Sequence, residues 1–205
     1  MIGIIDYGVG NLFSLQSSFA AIGCEAVVSG DREQLRKADH LILPGVGAFE
    51  DAARQLRESG LDSFVKDAAA AGTPIMGICL GMQMLFEKSL EFGEHQGLGL
   101  LKGTVVPMAG RIDPALKIPH IGWNSLHMTK ESPLFAYTPE GTHVYFVHSF
   151  FADGCEDSLI AETEYSIPIT AAVQKDNVYG CQFHPEKSGA AGLEILRAFC
   201  GEVKA

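Results

Sequence analysis

Three short apolar runs constrain this chain most: Ile2 to Asp6, Leu41 to Leu43 and Ile75 to Ile78. Each empties into a loop built on glycine or proline, and apolar residues at helical spacing come next. Leu12, Leu15, Phe19 and Ile22 recur at that spacing after the loop Tyr7-Gly8-Val9-Gly10, with Asn11 placed as N-cap and Gly23 as the stop. A short strand follows near Ala26 to Val28. Helices are predicted over Phe49 to Ser59 and Leu61 to Ala71, and another begins just past Cys79. Short buried strands alternating with helices predict an α/β fold, a mostly parallel central sheet with helices on both faces.

The second half is richer in strands. Candidates are Gly103 to Val106, His143 to Val147, Ile169 to Gln174 and Val178 to Phe183. A closing helix is predicted from about Ser188 to Cys200, with Leu193, Leu196, Phe199 and Cys200 on one side. No repeat or linker divides the chain, so residues 1–205 read as one domain, a length that can bury a substantial core.

Ala68 to Phe86 is uncharged and long enough to suggest a membrane span. Thr73-Pro74 breaks it early, and Gly77, Gly81 and Gln83 sit inside. It therefore reads as helix end, turn, buried strand and helix start, with no membrane role. The formal net charge of −10 argues against nucleic acid, whose phosphates require a basic surface. The five cysteines, Cys24, Cys79, Cys155, Cys181 and Cys200, are odd in number and dispersed. That pattern is unlike a disulfide framework and fits a reducing, cytoplasmic setting. The N-terminus has neither a basic region nor a cleavage site of the signal-peptide kind.

Gly77-Ile78-Cys79-Leu80-Gly81 lies at a predicted strand-to-helix junction and has the form of a nucleophile elbow with Cys in place of Ser. Small neighbours let the nucleophile stand clear of the sheet. The Leu80 amide and the following helix start favour a thiolate and a developing oxyanion. A buried structural cysteine between turn glycines is the plainer alternative. His184-Pro185-Glu186 shifts the balance. If the segment is extended, His184 and Glu186 project to one side, so Glu186 can orient the imidazole and stabilise its charged form. One intracellular Cys with a distant His is the layout of a thiol hydrolase.

Pro44-Gly45-Val46-Gly47 follows a predicted strand, so it should lie at the carboxyl edge of the sheet, where its backbone suits a second oxyanion donor. Cys181, His184 and Cys155 do not complete a tetrahedral metal set, and no metal is expected. Gly8-Val9-Gly10-Asn11 imitates a dinucleotide fingerprint but has Phe13 where the third glycine belongs. No cofactor is implied.

IIDYGVGNL, LPGVGAF, GICLGMQMLF, GLGLLKG, IPHIGWN, YFVHSF and GCQFHPEKS occur in that order, from the first strand to the final helix. Together they resemble the class I, triad-type glutamine amidotransferases, and among these the glutaminase subunits of imidazole glycerol phosphate synthases. The resemblance implies a flavodoxin-like fold with extra antiparallel strands in the second half. It implies glutamine hydrolysis by a Cys79–His184–Glu186 triad, with Val46, Gly47 and Leu80 at the oxyanion. Glutamine would be held by Gln83 and Glu91 and by the backbone at Ser149 and Phe150.

The four-residue Pro44-Gly45-Val46-Gly47 loop implies a peptide that must reorient, hence low resting activity and stimulation by a partner. Phe150 stands where relatives often have Tyr, a change that keeps a backbone contact and loses a phenol. The implied partner is a (β/α)8-barrel cyclase in a heterodimer, facing Trp123, Asn124, Tyr145 and Lys187. That cyclase would use the ammonia to make imidazole glycerol phosphate and an aminoimidazole-carboxamide nucleotide in histidine synthesis. Three alternatives remain at this level. They are a glutaminase serving another acceptor, such as one of surface-sugar synthesis, a partner-free thiol hydrolase of peptides or γ-glutamyl conjugates, and a non-catalytic subunit with a relict site.

Overall fold

The structure, a computed structural model, describes residues 1–201 and 203. Its elements run β1 (Ile2–Ile5), α1 (Leu12–Ala21), β2 (Ala26–Ser29), α2 (Arg32–Leu35), β3 (His40–Leu43), α3 (Phe49–Glu58), α4 (Leu61–Ala70), β4 (Ile75–Ile78) and α5 (Leu80–Met84). The second half adds β5 (Phe86–Ser89), β6 (His95–Gln96), β7 (Leu101–Pro107), β8 (His120–Ser125), β9 (His127–Met128), β10 (His143–His148), β11 (Phe150–Asp153), β12 (Leu159–Glu164), β13 (Pro168–Lys175), β14 (Val178–Cys181) and α6 (Gly189–Gly201).

Eight strands form the central sheet in the order β2-β1-β3-β4-β14-β13-β12-β9. The five from β2 to β14 are parallel; beyond β14 the pairing turns antiparallel. A four-stranded sheet, β11-β7-β5-β6, and a two-stranded ladder, β10-β8, complete the architecture. The first half matches the expected alternation closely, because its parallel strands are mostly apolar runs with Gly or Pro at or soon after their ends. In the second half β5, β6, β8, β9, β11 and β12 have no counterpart among the strands expected from sequence. Several of them alternate buried with exposed residues and include polar ones, as in β8.

Two buried clusters lie on opposite faces of the sheet. One gathers Phe49, Leu56, Leu61 and Val65 from α3 and α4. The other gathers Leu15 and Phe19 from α1 with Ile195, Leu196 and Phe199 from α6. Each fully buried side chain of this kind contributes about 1.5–3 kcal/mol relative to exposure. α3 shows why the helices form: Phe49, Ala52, Ala53 and Leu56 bury one face, acidic Glu50 and Asp51 occupy the first turn, and Arg57 the last.

Two local expectations change. Asn11 precedes α1, but its φ of −89° and ψ of 64° are not the extended geometry that aims a side chain at the helix, and it makes no capping hydrogen bond. On α6 the buried face centres on Ile195, Leu196 and Phe199; Leu193 lies at its margin, half-buried. The uncharged stretch ending at Phe86 becomes the end of α4, then β4, α5 and the first residue of β5. Among the described residues no helix is long and apolar enough to cross a membrane.

Backbone packs very closely at the end of β4. Here α5 folds back against its own strand, and a Cβ on Gly77 would lie 2.6 Å from the Gly81 carbonyl and from the Met82 amide. A Cβ on Gly81 would overlap the Leu43 carbonyl, which is backbone and cannot step aside. We therefore expect Gly81→Ala to cost at least about 3 kcal/mol, lowering the melting temperature by roughly 6–12 °C. An unchanged melting temperature by calorimetry would refute this account of the junction.

Candidate active site

The parallel pairing of β4 with β14 builds the site. Ile78 stands opposite Cys181, so the residues that leave these two strands emerge side by side at the carboxyl edge of the sheet. Cys79 follows β4 directly, and His184 follows β14. The loop Pro44-Gly45-Val46-Gly47 leaves β3, the other neighbour of β4, at the same edge. Cys79, His184, Val46, Gly47, Leu80, Gln83, Glu91, Ser149, Phe150 and Lys187 all line one cleft of about 540 Å³.

Cys79 has φ 54° and ψ −110°, a region that non-glycine residues rarely enter. Its amide donates to the Cys181 carbonyl at 2.7 Å, which locks the elbow to β14. The thiol lies 3.9 Å from the Val147 carbonyl and receives the Gln182 side-chain amide at 3.7 Å. α5 has only five residues, so the local amides rather than a long helix dipole act on this sulfur.

His184 Nδ1 lies 2.7 Å from Glu186 Oε1, and both side chains are almost fully buried. The route to this contact differs from the extended segment expected from sequence. His184 is extended, but Pro185–Lys187 form a 3-10 turn, which curls Glu186 back beneath the imidazole. The turn is pinned to β10: the His184 amide donates to the Tyr145 carbonyl at 2.9 Å, and the Ser188 hydroxyl accepts from the Tyr145 amide at 2.9 Å. Burial works against charge on His184, but hydrogen bonding to Cys79 and Glu186, with their negative charge, prevails and raises its pKa to about 9. The arrangement supplies a cysteine sulfur, an imidazole that holds a proton at neutral pH and a carboxylate that orients it.

The expected substrate contacts are more constrained than sequence suggested. Gln83 is buried, and its Nε2 donates to the Phe150 carbonyl and to Gln182 Oε1, each at 3.0 Å. Glu91 Oε2 accepts from the Phe49 amide at 2.7 Å, so this carboxylate sits on the first turn of α3, just after the Val46–Gly47 loop. Burial pushes the Glu91 carboxyl above its ordinary value, opposed by the Phe49 N–H. The half-buried ring of Phe150 meets Phe92 edge-on at 6.1 Å.

On the cleft's flank the Trp123 ring, 53% exposed, stands 5.9 Å from that of Tyr145, and Lys187 Nζ lies 6.0 Å from the Tyr145 ring centroid. Those three form one patch. Asn124 does not join them outwardly: its side chain turns in to His120 and to the Glu164 carbonyl.

Several contributors are not evident from sequence. Tyr7 donates from its buried hydroxyl to the Pro44 carbonyl at 2.7 Å and so anchors the glycine loop. Gln182 links Cys79 to Gln83, and His148 lines the cleft beside Ser149. Tyr7 and Gln182 each sit close in sequence to a residue already singled out, which is the one signal they offer. Among the described residues no group of three or more His, Cys, Asp or Glu converges as a metal site. All five cysteines are free thiols.

The raised pKa of His184 makes stability depend on pH. The favourable term is complete below the ordinary value of 6.5 and is lost as the pH rises through about 9. The stability gap between the wild type and Glu186→Gln, measured by urea titration, should therefore be larger at pH 7 than at pH 10. A gap that widens at pH 10 would contradict the charged His184–Glu186 pair.

Comparison with known proteins places the chain in a family. The sequence model of the family described as "Glutamine amidotransferase class-I" matches residues 3–203. The imidazole glycerol phosphate synthase subunit HisH of Lactococcus lactis is 54% identical over 201 residues, covering 98% of each chain. The subunit of the same name from Geobacillus thermodenitrificans is 50% identical over 206 residues, covering 99% of this chain and 96% of the relative. Among solved structures, PurLQS from Thermotoga maritima superposes with a TM-score of 0.77 at 21% identity, covering 99% of this chain and 98% of that one. A crystal structure of a glutamine amidotransferase gives 0.75 at 20%, covering 97% and 96%. At such identities the structures speak for the fold alone. The chain belongs to the class-I glutamine amidotransferase family, and within that family it is similar over nearly its whole length to HisH subunits of imidazole glycerol phosphate synthase.

Proposed function

We propose that this chain hydrolyses glutamine to glutamate and ammonia at Cys79, as the glutaminase subunit of an imidazole glycerol phosphate synthase in histidine biosynthesis. The observation that carries the chemistry is the convergence of Cys79 and His184 in a single cleft at one edge of the sheet, with Glu186 buried behind His184 at 2.7 Å. The relatives' names carry the pathway.

In this reading the Cys79 thiolate adds to the side-chain amide carbon of glutamine. The oxygen that becomes negative is met by the backbone at Leu80 and at Val46 or Gly47. His184, holding the thiol's proton beside Glu186, delivers it to the departing nitrogen, and ammonia leaves a glutamyl thioester on Cys79. His184, now neutral, takes a proton from water as that water adds to the thioester carbon. Collapse breaks the carbon–sulfur bond and releases glutamate. Glu91 is the carboxylate suited to the α-ammonium. The backbone at Ser149 and Phe150 suits the α-carboxylate, and the Gln83 side chain shapes the floor.

The partner is read as a cyclase subunit, a (β/α)8 barrel in a heterodimer, seated on the face that carries Trp123, Tyr145 and Lys187. The backbone and hydroxyl bonds between Tyr145 and the His184–Ser188 turn would let events on that face reach the catalytic base. The ammonia would meet a phosphoribulosyl aminoimidazole-carboxamide nucleotide there, giving imidazole glycerol phosphate and an aminoimidazole-carboxamide nucleotide. A cytoplasmic location goes with this role.

Cys79→Ala should abolish glutamine-dependent synthesis by the complex and leave ammonia-dependent synthesis intact. Retained glutaminase turnover in that variant would exclude Cys79 as nucleophile. A glutamine-analogue electrophile should label Cys79 ahead of the other four cysteines, read by peptide mass spectrometry. Labelling centred on Cys181 would contradict the elbow, since burial pushes that thiol far above its ordinary pKa.

A further inference from the structure

Two buried histidines stand outside the hydrolytic steps. His120 and His148 are the terminal pair of the β8–β10 ladder, 1% and 6% exposed. They belong to one chain of contacts. Asn124 Nδ2 donates to the Glu164 carbonyl at 3.1 Å, and Asn124 Oδ1 faces His120 Nε2 at 2.8 Å. His120 Nδ1 faces His148 Nε2 at 3.1 Å, and His148 Nδ1 faces the Phe150 carbonyl at 2.8 Å. That carbonyl also takes the Gln83 amide, and Phe150 lines the cleft. At the far end, Asn124 adjoins the exposed Trp123 on β8.

Counting protons exposes a shortage. Phe150 O and Asn124 Oδ1 are both acceptors, so each needs a ring N–H, and the contact between the rings needs a third. Two neutral imidazoles carry two. Turning the Asn124 amide gives no relief, because its oxygen would then oppose the Glu164 carbonyl. A third proton would leave a cation stacked on Phe146 and Tyr165, at 5.1 and 4.0 Å from the His120 ring centroid. Burial opposes that, pushing His148 down to about 3 and His120 below its ordinary value. The titratable groups around the pair are His184, Cys79, Glu91 and Lys187 on the cleft side and Tyr165 against His120. A protonated His184 further disfavours charge on His148.

The neutral pair therefore leaves one contact unmade. If both rings are Nδ1–H, His148 holds Phe150, His120 donates to His148, and Asn124 loses its donor. If both are Nε2–H, His120 holds Asn124, His148 donates to His120, and Phe150 is released. Mixed tautomers would set two lone pairs or two N–H groups against each other in a buried site, the costliest choice.

We propose that His148 and His120 are positioning residues that switch tautomer together, tying the Phe150 carbonyl of the cleft in one state and Asn124, the chain neighbour of Trp123 on β8, in the other. The corner presenting Ser149 and Phe150 to substrate is then held or released according to what engages Asn124. This rests on the glutaminase reading of the cleft.

Histidine-selective 15N NMR of the full-length chain at pH 7 reads the tautomers without any need for turnover. Both rings should be neutral and of one kind, and Asn124→Ala should move both toward Nδ1–H. Opposite tautomers, a charged ring at pH 7, or indifference to Asn124→Ala would overturn the proposal. With the cyclase present, His148→Asn, whose amide reproduces the Nδ1 donor, should keep the glutamine KM within about twofold. His148→Gln, whose amide falls at the Nε2 position, should raise KM about tenfold and change kcat less. Equal KM values in the two variants would remove the positioning role. A wild type without turnover would instead remove the glutaminase reading, leaving the NMR result to decide the pair.

Discussion

The pairing of β4 with β14 is the contact on which this molecule depends. Cys79 and His184 are far apart in sequence and meet because two parallel strands end together. The amide of Cys79 completes that ladder by donating to Cys181, so the proposed nucleophile is both the last rung of the sheet and the first residue beyond it. Its positive φ is the strained consequence. The compact glycines of the elbow let α5 and the β3 loop close in around it. Removing the pairing would leave a cysteine and a histidine with no shared edge.

Around this edge the same groups serve both structure and chemistry. Glu91 sits on the first turn of α3 while facing the cleft, and Gln83 spans Gln182 and the Phe150 carbonyl. The His184–Ser188 turn is fastened to Tyr145, on a strand whose neighbour β8 carries Trp123. A subunit docking on that face would press on the strand that holds His184 in place. This gives a physical route by which a partner can govern the site without entering it.

Legibility from sequence tracks the physics of each element. The inner parallel strands are buried on both sides, so Ile75–Ile78 announces itself as a short apolar run leading into the Cys79-Leu80-Gly81 turn. Strands such as β8, His120–Ser125, carry alternating and polar residues and a glycine, and they read as motif rather than strand. At the site, Cys79, His184 and Glu186 are visible because their chemistry is scarce and their neighbours are diagnostic. The contact between His184 and Glu186 is legible, but the 3-10 turn that makes it is not. Proline excludes a helix for His184 more readily than it sets the backbone of the residues after it. Tyr7, Gln182, His120 and His148 stay hidden as actors because a single polar residue acquires its role only from partners that tertiary structure supplies.

The most direct measurement is glutamine hydrolysis by the pure chain alone, with a cognate cyclase subunit, and with cyclase plus its nucleotide ligand. A glutaminase governed through the β8–β10 face predicts slow turnover alone and strong stimulation in the complete mixture. No hydrolysis in the complete mixture would contradict the reading of the Cys79 cleft, and fast hydrolysis indifferent to the cyclase would contradict its control by a partner.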